Sequence, residues 1–243
     1  MPYRVLNLEE VSDYLHLSLA EVEQLARNQE IPCEKRGKRL VFRKIEVEAW
    51  ASQRILGLEG RQLKEYEQKS AKAAEEFATS GAFMPELICP DFINPALPAK
   101  IKASVLREMT ELATSTGRVS GESELLEDLL AREALCSTGV PGGLALMHAR
   151  VADSGLFTSP FIALGRTVQQ IPFGAPDGRP TDLFFLVGCP SDRLHLQTLA
   201  RLCLMAQTTD LLMDLRQRAH AEGMWQAILS AEEAALEKRA KSR

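Results

Sequence analysis

Of the four histidines in this sequence, His148 has the surroundings best suited to covalent chemistry. It follows a short apolar run, residues 144–147, and Arg150 comes two positions after it. The loop before the run carries hydroxyl groups and glycines, and it begins with Ser137, Thr138 and Gly139. A neutral imidazole is nucleophilic at physiological pH, and an arginine and free amides can bind phosphate oxygens. The residues alone leave two interpretations open, a phosphoryl acceptor with a phosphate loop and a buried structural histidine.

Competing reaction classes lack their motifs. A serine–histidine hydrolase built on Ser137 and His148 would need a G-x-S-x-G turn, and the sequence contains none. A nucleotide-dependent kinase would need a phosphate-binding loop of the G-x-x-x-x-G-K-S/T type, which is also missing. The five cysteines are scattered, with no C-x-x-C pair. We therefore predict no metal site, no cofactor and a reducing, cytoplasmic location.

The composition is that of an ordinary globular protein. Apolar residues make up 45% and charged residues 26% of the chain, which argues against a disordered or disulfide-stapled protein. The net charge of −4 provides no global attraction to nucleic acid, so a DNA contact requires a local basic patch. The longest apolar run, residues 183–187, is far too short to cross a bilayer, and acidic residues interrupt the N-terminus. We expect neither a membrane span nor a signal peptide.

The elements that must position His148 are predicted in residues 85–230. Apolar residues at helical spacing predict helices within 101–112 and 125–130. Short apolar runs predict strands at 144–147, 161–164 and 183–187. This mixed order predicts an α/β fold in which helices are layered on both sides of a mixed sheet. A charged C-terminal tail is expected over residues 231–243.

Residues 53–84 are predicted to be a helical linker, because helix formers dominate from Gln62 to Phe77. Five residues in it recur at alternating spacings of three and four: Leu63, Tyr66, Ser70, Ala73 and Phe77. That spacing would suit a short seam between two copies of the chain. A homodimer contact and a solvated helical spacer both stay open.

Residues 1–52 have the pattern of a small winged helix-turn-helix. Asn7 with Glu10, and Ser18 with Glu21, are spaced as capping boxes, in which each side chain bonds the backbone amide of the other. Each box opens a short amphipathic helix, and the connection between the two helices is tight.

A basic hairpin turning at Gly37 follows these helices. Four of its residues form a predicted DNA-binding surface, which we call the wing: Lys35, Arg36, Lys38 and Arg39. Neutralisation of phosphates by lysine and arginine supplies sequence-independent affinity for DNA. We therefore predict DNA contacts from the wing, and from Gln24 and Arg27 on the second helix.

This region resembles the excisionase/MerR-like family of DNA-binding domains. The matching segments are residues 8–15, Glu30-Ile31-Pro32, the wing and residues 47–50. The second helix departs from the pattern, because Glu21 and Glu23 would repel DNA phosphates. The alternative is a helix-turn-helix that docks onto a protein.

Residues 85–230 resemble the enzyme IIA domains of the bacterial phosphotransferase system, fructose/mannitol class. The resemblance is closest to the nitrogen-regulatory branch of that class. Four motifs in the same order carry the resemblance: residues 132–139 with His148-Ala149-Arg150, residues 171–178, residues 180–186 and residues 195–202. They span nearly the whole region from 85 to 230.

The resemblance implies that His148 is the phosphorylated residue. It also implies that His195 lies across the pocket and stabilises the phosphohistidine, and that Arg150 contacts the phosphate. Met147 stands where the family usually has proline, and an asparagine that commonly precedes the last glycine of the loop is replaced. Neither departure removes the nucleophile, so we expect phosphorylation to persist.

The resemblance further implies a histidine-containing phosphocarrier protein (HPr-like) as the phosphoryl donor. Fusion to a helix-turn-helix favours a regulator that acts on DNA or on a protein target over a transporter. Two alternatives stay open: a regulator whose IIA domain is inert, and a sugar-specific IIA transport component.

Overall fold

The computed structural model describes residues 4–37, 39–78, 81–149 and 155–240. The helices are α1 Leu8–Leu15, α2 Leu19–Arg27, α3 Lys44–Leu56, α4 Gly60–Phe77, α5 Met84–Leu87, α6 Lys102–Ser115, α7 Glu122–Leu135, α8 Asp192–Thr208, α9 Leu211–Gln217 and α10 Ala221–Ala240. The strands are β1 Val5–Leu6, β2 Glu34–Arg36, β3 Arg39–Arg43, β4 Ile93–Leu97, β5 Gly139–Val140, β6 Leu144–His148, β7 Phe161–Ile171 and β8 Thr181–Gly188. Within these described ranges, no helix has the length and apolar character needed to span a membrane.

The N-terminal unit, residues 5–56, is a winged helix-turn-helix as predicted. Both capping boxes form: the Glu10 amide donates to Asn7 at 2.9 Å, and the Ser18 amide donates to Glu21 at 2.7 Å. His16 ends α1 in the left-handed conformation, with φ of 53°, and this makes the connection to α2 tight. The three strands of the unit pair in the order β1-β3-β2.

The hairpin of the N-terminal unit turns at Gly37, whose φ of 64° favours glycine. Lys35, Arg36 and Arg39 are exposed on it, and Lys38 lies outside the described residues. Arg36 also pairs with Glu34 at 3.1 Å, which offsets part of its charge.

The layered domain, residues 84–240, is built on a five-stranded mixed sheet in the order β4-β7-β8-β6-β5. Strand β6 runs parallel to β8, and β7 runs antiparallel to it. Side chains of β6 alternate between two apolar clusters: Leu144 and Leu146 join the cluster that contains α8 and α10, and Ala145 and Met147 join the one that contains α6 and α7. Because both faces of the sheet are covered by helices, the strand is a continuous apolar run. The predicted α/β/α layering is confirmed.

Helix α4 corrects the expectation of a solvated spacer or a dimer seam, because it packs along α8 of the same chain. Leu63 is fully buried, and the Ser70 hydroxyl donates to Gln197 on α8. Glu67 pairs with Arg201 of α8 at 2.8 Å, and both side chains are 1% exposed. Leu63, Tyr66 and Ser70 of the predicted seam therefore pack within one molecule. Phe77 is 38% exposed, and the side chain of Ala73 lies outside the described residues.

Helix α10 extends into the range expected to be a charged tail. Glu232 is buried, accepts the amides of Phe83 and Met84 at 3.1 and 3.0 Å, and pairs with Arg201 at 2.6 Å. Ala231 and Ala235 are buried beside it. The structure thus makes residues 231–240 part of a packed helix, and 241–243 lie outside the described residues.

Candidate functional site

His148 is the last residue of β6 and lies beside Val187 of β8. Its side chain is buried, and the residue is 2% exposed. Nδ1 lies 2.9 Å from the backbone oxygen of Leu146, an atom that can only accept a hydrogen bond. The proton of the neutral ring is therefore on Nδ1, and Nε2 carries the lone pair. The backbone of β6 thus selects which nitrogen is nucleophilic.

Arg132, in the last turn of α7, faces that nitrogen. Its Nε donates to Nε2 of His148 at 3.0 Å, and its Nη1 donates to the backbone oxygen of Cys136 at 3.0 Å. Its Nη2 is buried and has no hydrogen-bond partner among the residues that the structure describes. The guanidinium is thus held in place by Nε and Nη1, and Nη2 is available to donate to a ligand.

Sequence reasoning missed Arg132 and gave the phosphate contact to Arg150, which lies outside the described residues. A signal was available, because Leu125, Leu129 and Arg132 follow the helical spacing of the buried stripe of α7. An arginine in such a stripe is unusual, since charged side chains are rarely buried without a purpose.

His195 lies in the first turn of α8, which begins after the N-cap Ser191. The centroids of the His195 and His148 rings are 5.1 Å apart, in an edge-to-face arrangement. Burial and then the nearby charge of Arg132 lower the pKa of His195 to about 4. Burial, followed by Arg132 and His195, holds the pKa of His148 well below its usual range. Both rings are therefore neutral at physiological pH.

The predicted phosphate loop does not reach this pair. The Ser137 hydroxyl donates to the backbone oxygen of Phe173 at 2.9 Å, and the Thr138 hydroxyl donates to Glu133 at 2.6 Å. A Cβ on Gly139 would lie 3.1 Å from the backbone of Ala175, so glycine there permits close packing. None of the three residues lines the cavity beside His148. In this structure they hold the loop in shape instead of pointing at the nucleophile.

The cavity beside His148 lies between the two parts of the chain and has a volume of about 20 Å³. The layered domain contributes Arg132, His148, Ala149, Phe157, Val187, Cys189, Asp192 and His195. The N-terminal unit contributes Tyr14 of α1 and Glu48, Ala49 and Ser52 of α3. No sequence pattern indicated that the N-terminal unit would contact the cavity of the two histidines.

Lys44, the first residue of α3, forms ion pairs at the edge of this cavity. Its Nζ lies 2.9 Å from Asp192 at the start of α8 and 3.2 Å from Glu48. Burial opposes the charge of Lys44, but the bonds to the two carboxylates outweigh it and raise the pKa to about 12. The ammonium therefore remains charged and ties α3 to the layered domain.

The predicted DNA-contacting residues lie away from the cavity. Gln24 and Arg27 are exposed on α2, as are Lys35, Arg36 and Arg39 on the wing. None of them lines the cavity. Within the described ranges, no group of three histidine, cysteine or acidic residues is arranged to hold a metal ion.

Known proteins match both parts of the chain. Residues 86–231 match the family described as phosphoenolpyruvate-dependent sugar phosphotransferase system, EIIA 2, and residues 5–55 match a helix-turn-helix domain family. A nitrogen regulatory protein of Bradyrhizobium diazoefficiens is 31% identical over 147 residues, which are 59% of this chain and 92% of that protein. A fructose-specific EIIA component of Haloferax volcanii is 32% identical over 114 residues, 46% of this chain and 72% of that protein.

Among solved structures, the crystal structure of nitrogen regulatory protein IIA-Ntr from Neisseria meningitidis superposes with a TM-score of 0.55 at 27% identity. The superposition covers 60% of this chain and 99% of that one. These matches confirm both resemblances that the sequence motifs indicated.

Proposed function

Because the chain belongs to the EIIA 2 family of the phosphoenolpyruvate-dependent sugar phosphotransferase system, we propose that it is a regulatory phosphocarrier. It accepts a phosphoryl group on Nε2 of His148 from a histidine-containing phosphocarrier protein. The observation that carries this proposal is the bond of Nδ1 to the Leu146 oxygen, which leaves the Nε2 lone pair facing the Arg132 guanidinium. A neutral ring with its lone pair beside a cation suits attack on an anionic phosphoryl group.

The transfer exchanges one phosphorus–nitrogen bond for another. The lone pair of His148 Nε2 forms a bond to phosphorus while the bond to the donor histidine breaks, and the donor ring keeps that electron pair. The Nε–H of Arg132 must first leave Nε2, which it contacts at 3.0 Å. The same donor, and Nη2 with it, can then bind phosphoryl oxygens, as an arginine fork does in phosphate sites.

His195 is the second ring of the proposed site. Its centroid lies 5.1 Å from that of His148, and its depressed pKa keeps it neutral. A neutral imidazole N–H can donate to a phosphoryl oxygen on Nε2 of His148. We therefore assign His195 to stabilising the phosphohistidine.

Regulation is supported by two matches: the nitrogen regulatory relatives and the helix-turn-helix family in the N-terminal unit. Its targets would be DNA or a partner protein. The fructose-specific relative supports a second candidate function, delivery of the phosphoryl group to a sugar permease. The two candidate functions differ in the fate of the phosphoryl group. A transport component passes it from His148 to a permease domain, and a regulator does not need to do so.

The test is phosphoryl transfer from radiolabelled phosphoenolpyruvate through enzyme I and HPr to the full chain. The wild type should gain an acid-labile label, and His148→Gln should lose it completely because the nucleophile is gone. His220→Gln is the matched control, since His220 is exposed and lies outside the cavity. His195→Gln should label more slowly or lose the label faster. Full labelling of His148→Gln would refute the assignment.

A further inference from the structure

The N-terminal unit forms one wall of the cavity in which His148 lies. Glu48, Ala49 and Ser52 share one face of α3, and together with Tyr14 they form the wall opposite the histidines. His148 and His195 are 2% and 9% exposed in this arrangement. The cavity volume of about 20 Å³ has room for about one water molecule. A phosphoryl group has three oxygens, so it does not fit in this cavity.

Closure also excludes the donor. Transfer between two histidines requires the reacting atoms to come within about 3–3.5 Å of each other. Among the described residues, α3 and α1 form the wall of the cavity opposite the histidines, so a histidine of another protein cannot approach Nε2 of His148 from that side. In the docked arrangement the proposed nucleophile is therefore out of reach from that side.

Two ion pairs join the N-terminal unit to the rest of the chain. Lys44 holds α3 to Asp192 of α8, and Lys69 of α4 holds Glu21 of α2 at 3.1 Å. Residues 57–59 join α3 to α4, and Gly60 begins α4 with φ of 51°. This short connection is a candidate hinge.

Helix α4 remains fixed on the other side of that connection. Its Glu67 is buried against Arg201 of α8, and the Gly60 amide donates to Gln207 of α8 at 3.3 Å. Gln207 also donates to the Leu58 oxygen at 2.9 Å, a bond within the connection that a hinge motion would have to break. Release of the N-terminal unit about residues 57–59 would leave the contacts between α4 and α8 in place. It would also expose apolar residues of the core that α3 and α8 share, such as Ala51 and Leu199.

A phosphoryl group on His148 would oppose redocking. It adds about 1.5 to 2 negative charges and three acceptor oxygens by analogy with other phosphorylated side chains. In the closed state these charges would meet the carboxylates of Glu48 and Asp192, which line the same cavity. Like charges at close range in an enclosed space repel strongly.

We propose that α3 of the N-terminal unit is an autoinhibitory lid on His148, which must leave before phosphoryl transfer and is kept off by the phosphoryl group afterwards. The lid rests on the proposed function, since it regulates that same site. The helix-turn-helix thereby occupies, within its own chain, the surface that the phosphocarrier protein needs.

Two variants of the full chain open the lid by different means. Lys44→Glu places a third carboxylate beside Asp192 and Glu48, and Ser52→Phe forces a large ring into the wall of the cavity. The matched controls are Lys64→Glu on the exposed face of α4 and Ser115→Phe, exposed at the end of α6. Circular dichroism verifies that each variant is folded, and either opening variant alone is sufficient for the test.

The first measurement needs no phosphoryl donor. Diethylpyrocarbonate modifies accessible neutral imidazoles, and peptide mass spectrometry reports each histidine separately. Exposed His220 is the internal reference. In the wild type His148 and His195 should react far more slowly than His220, and an opening variant should speed both by about tenfold, within the usual range of coupling between sites.

The second measurement is the initial rate of labelling from phosphoenolpyruvate through enzyme I and HPr. An opening variant should raise that rate by about tenfold, and the controls should match the wild type. If a folded opening variant leaves both rates unchanged, the lid is wrong, while loss of label in His148→Gln still upholds the proposed function. If the opening variants expose His148 to diethylpyrocarbonate and no chain accepts label, the proposed function fails and this regulation of it fails too.

Discussion

Arg132 is buried beside two neutral histidines and has no ion pair with a carboxylate among the described residues. Its neighbour Glu133 pairs instead with Lys102, at 2.7 Å. A buried cation without an anion is costly, because it has lost its hydration and gained no opposite charge. The cost is understandable if the site receives an anion during function, and a phosphoryl group on His148 would be that anion. The positive charge of Arg132 helps to keep both imidazole rings uncharged, which leaves His148 nucleophilic.

The neutral state of His195 predicts that stability falls with acidity. The unfolded ring has a pKa near 6.5 and the folded ring one of about 4, so between these values only the unfolded chain takes up the proton. The contribution is fully present above about pH 6.5 and is lost as pH falls towards 4. From about pH 7.5 to about pH 5, this single group should lower the free energy of unfolding by about 2 kcal/mol.

Urea unfolding of the wild type and of His195→Gln at both pH values measures this effect. The difference between the two pH dependences reports the His195 ring together with its effect on the pKa of the neighbouring His148. The variant should lose less stability on acidification than the wild type. Exposed His220 offers the control, because His220→Gln should keep the wild-type dependence. Equal losses in wild type and His195→Gln would contradict the burial of a neutral ring.

At the scale of helices and strands, the sequence predicted what local patterns encode. The caps at Asn7 and Ser18, the hairpin turn at Gly37 and the buried run of β6 formed where expected, because each depends on neighbouring residues. The role of α4 could not be predicted in this way. Apolar spacing reveals that a helix has a buried face, but it does not identify the partner.

The packing of α4 and α10 was hard to predict from the sequence because charged residues take part in it. Glu67, Arg201 and Glu232 look like surface charges in sequence. In the structure they come from three separate helices, and both glutamates pair with Arg201 in the interior. The site was predictable only where it depends on local motifs, which contain His148 and His195. The wall contributed by α3 could not be predicted, because it arises from a contact between distant parts of the chain.

The wing is the element on which DNA binding is expected to depend. Replacing Lys35, Arg36, Lys38 and Arg39 together with glutamine should remove most affinity for duplex DNA. Each lost phosphate contact should reduce the slope of log affinity against log salt by about one. The reduction should be less than four, since Arg36 is partly neutralised by Glu34.

Fluorescence anisotropy of a labelled duplex over a salt series measures both quantities. Four exposed basic residues outside the N-terminal unit provide a control with the same change in charge: Arg61, Lys64, Lys100 and Arg107. Their replacement by glutamine should leave the slope nearly unchanged. Binding that responds neither to salt nor to the wing substitutions would indicate that the helix-turn-helix docks onto protein alone.

In the whole molecule, docking of the N-terminal unit on the layered domain links phosphorylation of His148 to DNA binding through one equilibrium between a closed and a released state. The closed state covers His148 and leaves α2 and the wing exposed. If phosphorylation favours the released state, then anything that binds the released unit more tightly must also favour phosphorylation, because coupling between two sites is reciprocal. The size of the effect is limited by the difference in affinity between the two states.

Release should strengthen DNA binding, and Lys44 provides the reason. In the closed state its ammonium is held by Asp192 and Glu48, and its side chain is 11% exposed. Lys44 directly follows β3, beside Arg43, and release would separate it from Asp192 while its pair with Glu48 of the same helix stays. A basic group at the base of the wing would thus lose one of its two carboxylate partners, and a phosphate contact from it should steepen the salt slope by at most about one. The total coupling should be about 1–3 kcal/mol, which means a gain in affinity of about 5- to 150-fold for the phosphorylated protein.

Titration of one labelled duplex with phosphorylated and unphosphorylated protein at equal salt tests this coupling. Unphosphorylated Ser52→Phe should bind like the phosphorylated wild type, because it releases the unit without a change in charge. His148→Gln treated with the same donors should bind like the unphosphorylated wild type. Superimposable curves for all of these proteins would mean that the helix-turn-helix and the enzyme IIA domain act independently. A gain in Ser52→Phe without one on phosphorylation would uphold the docking contact and reject His148 as its switch.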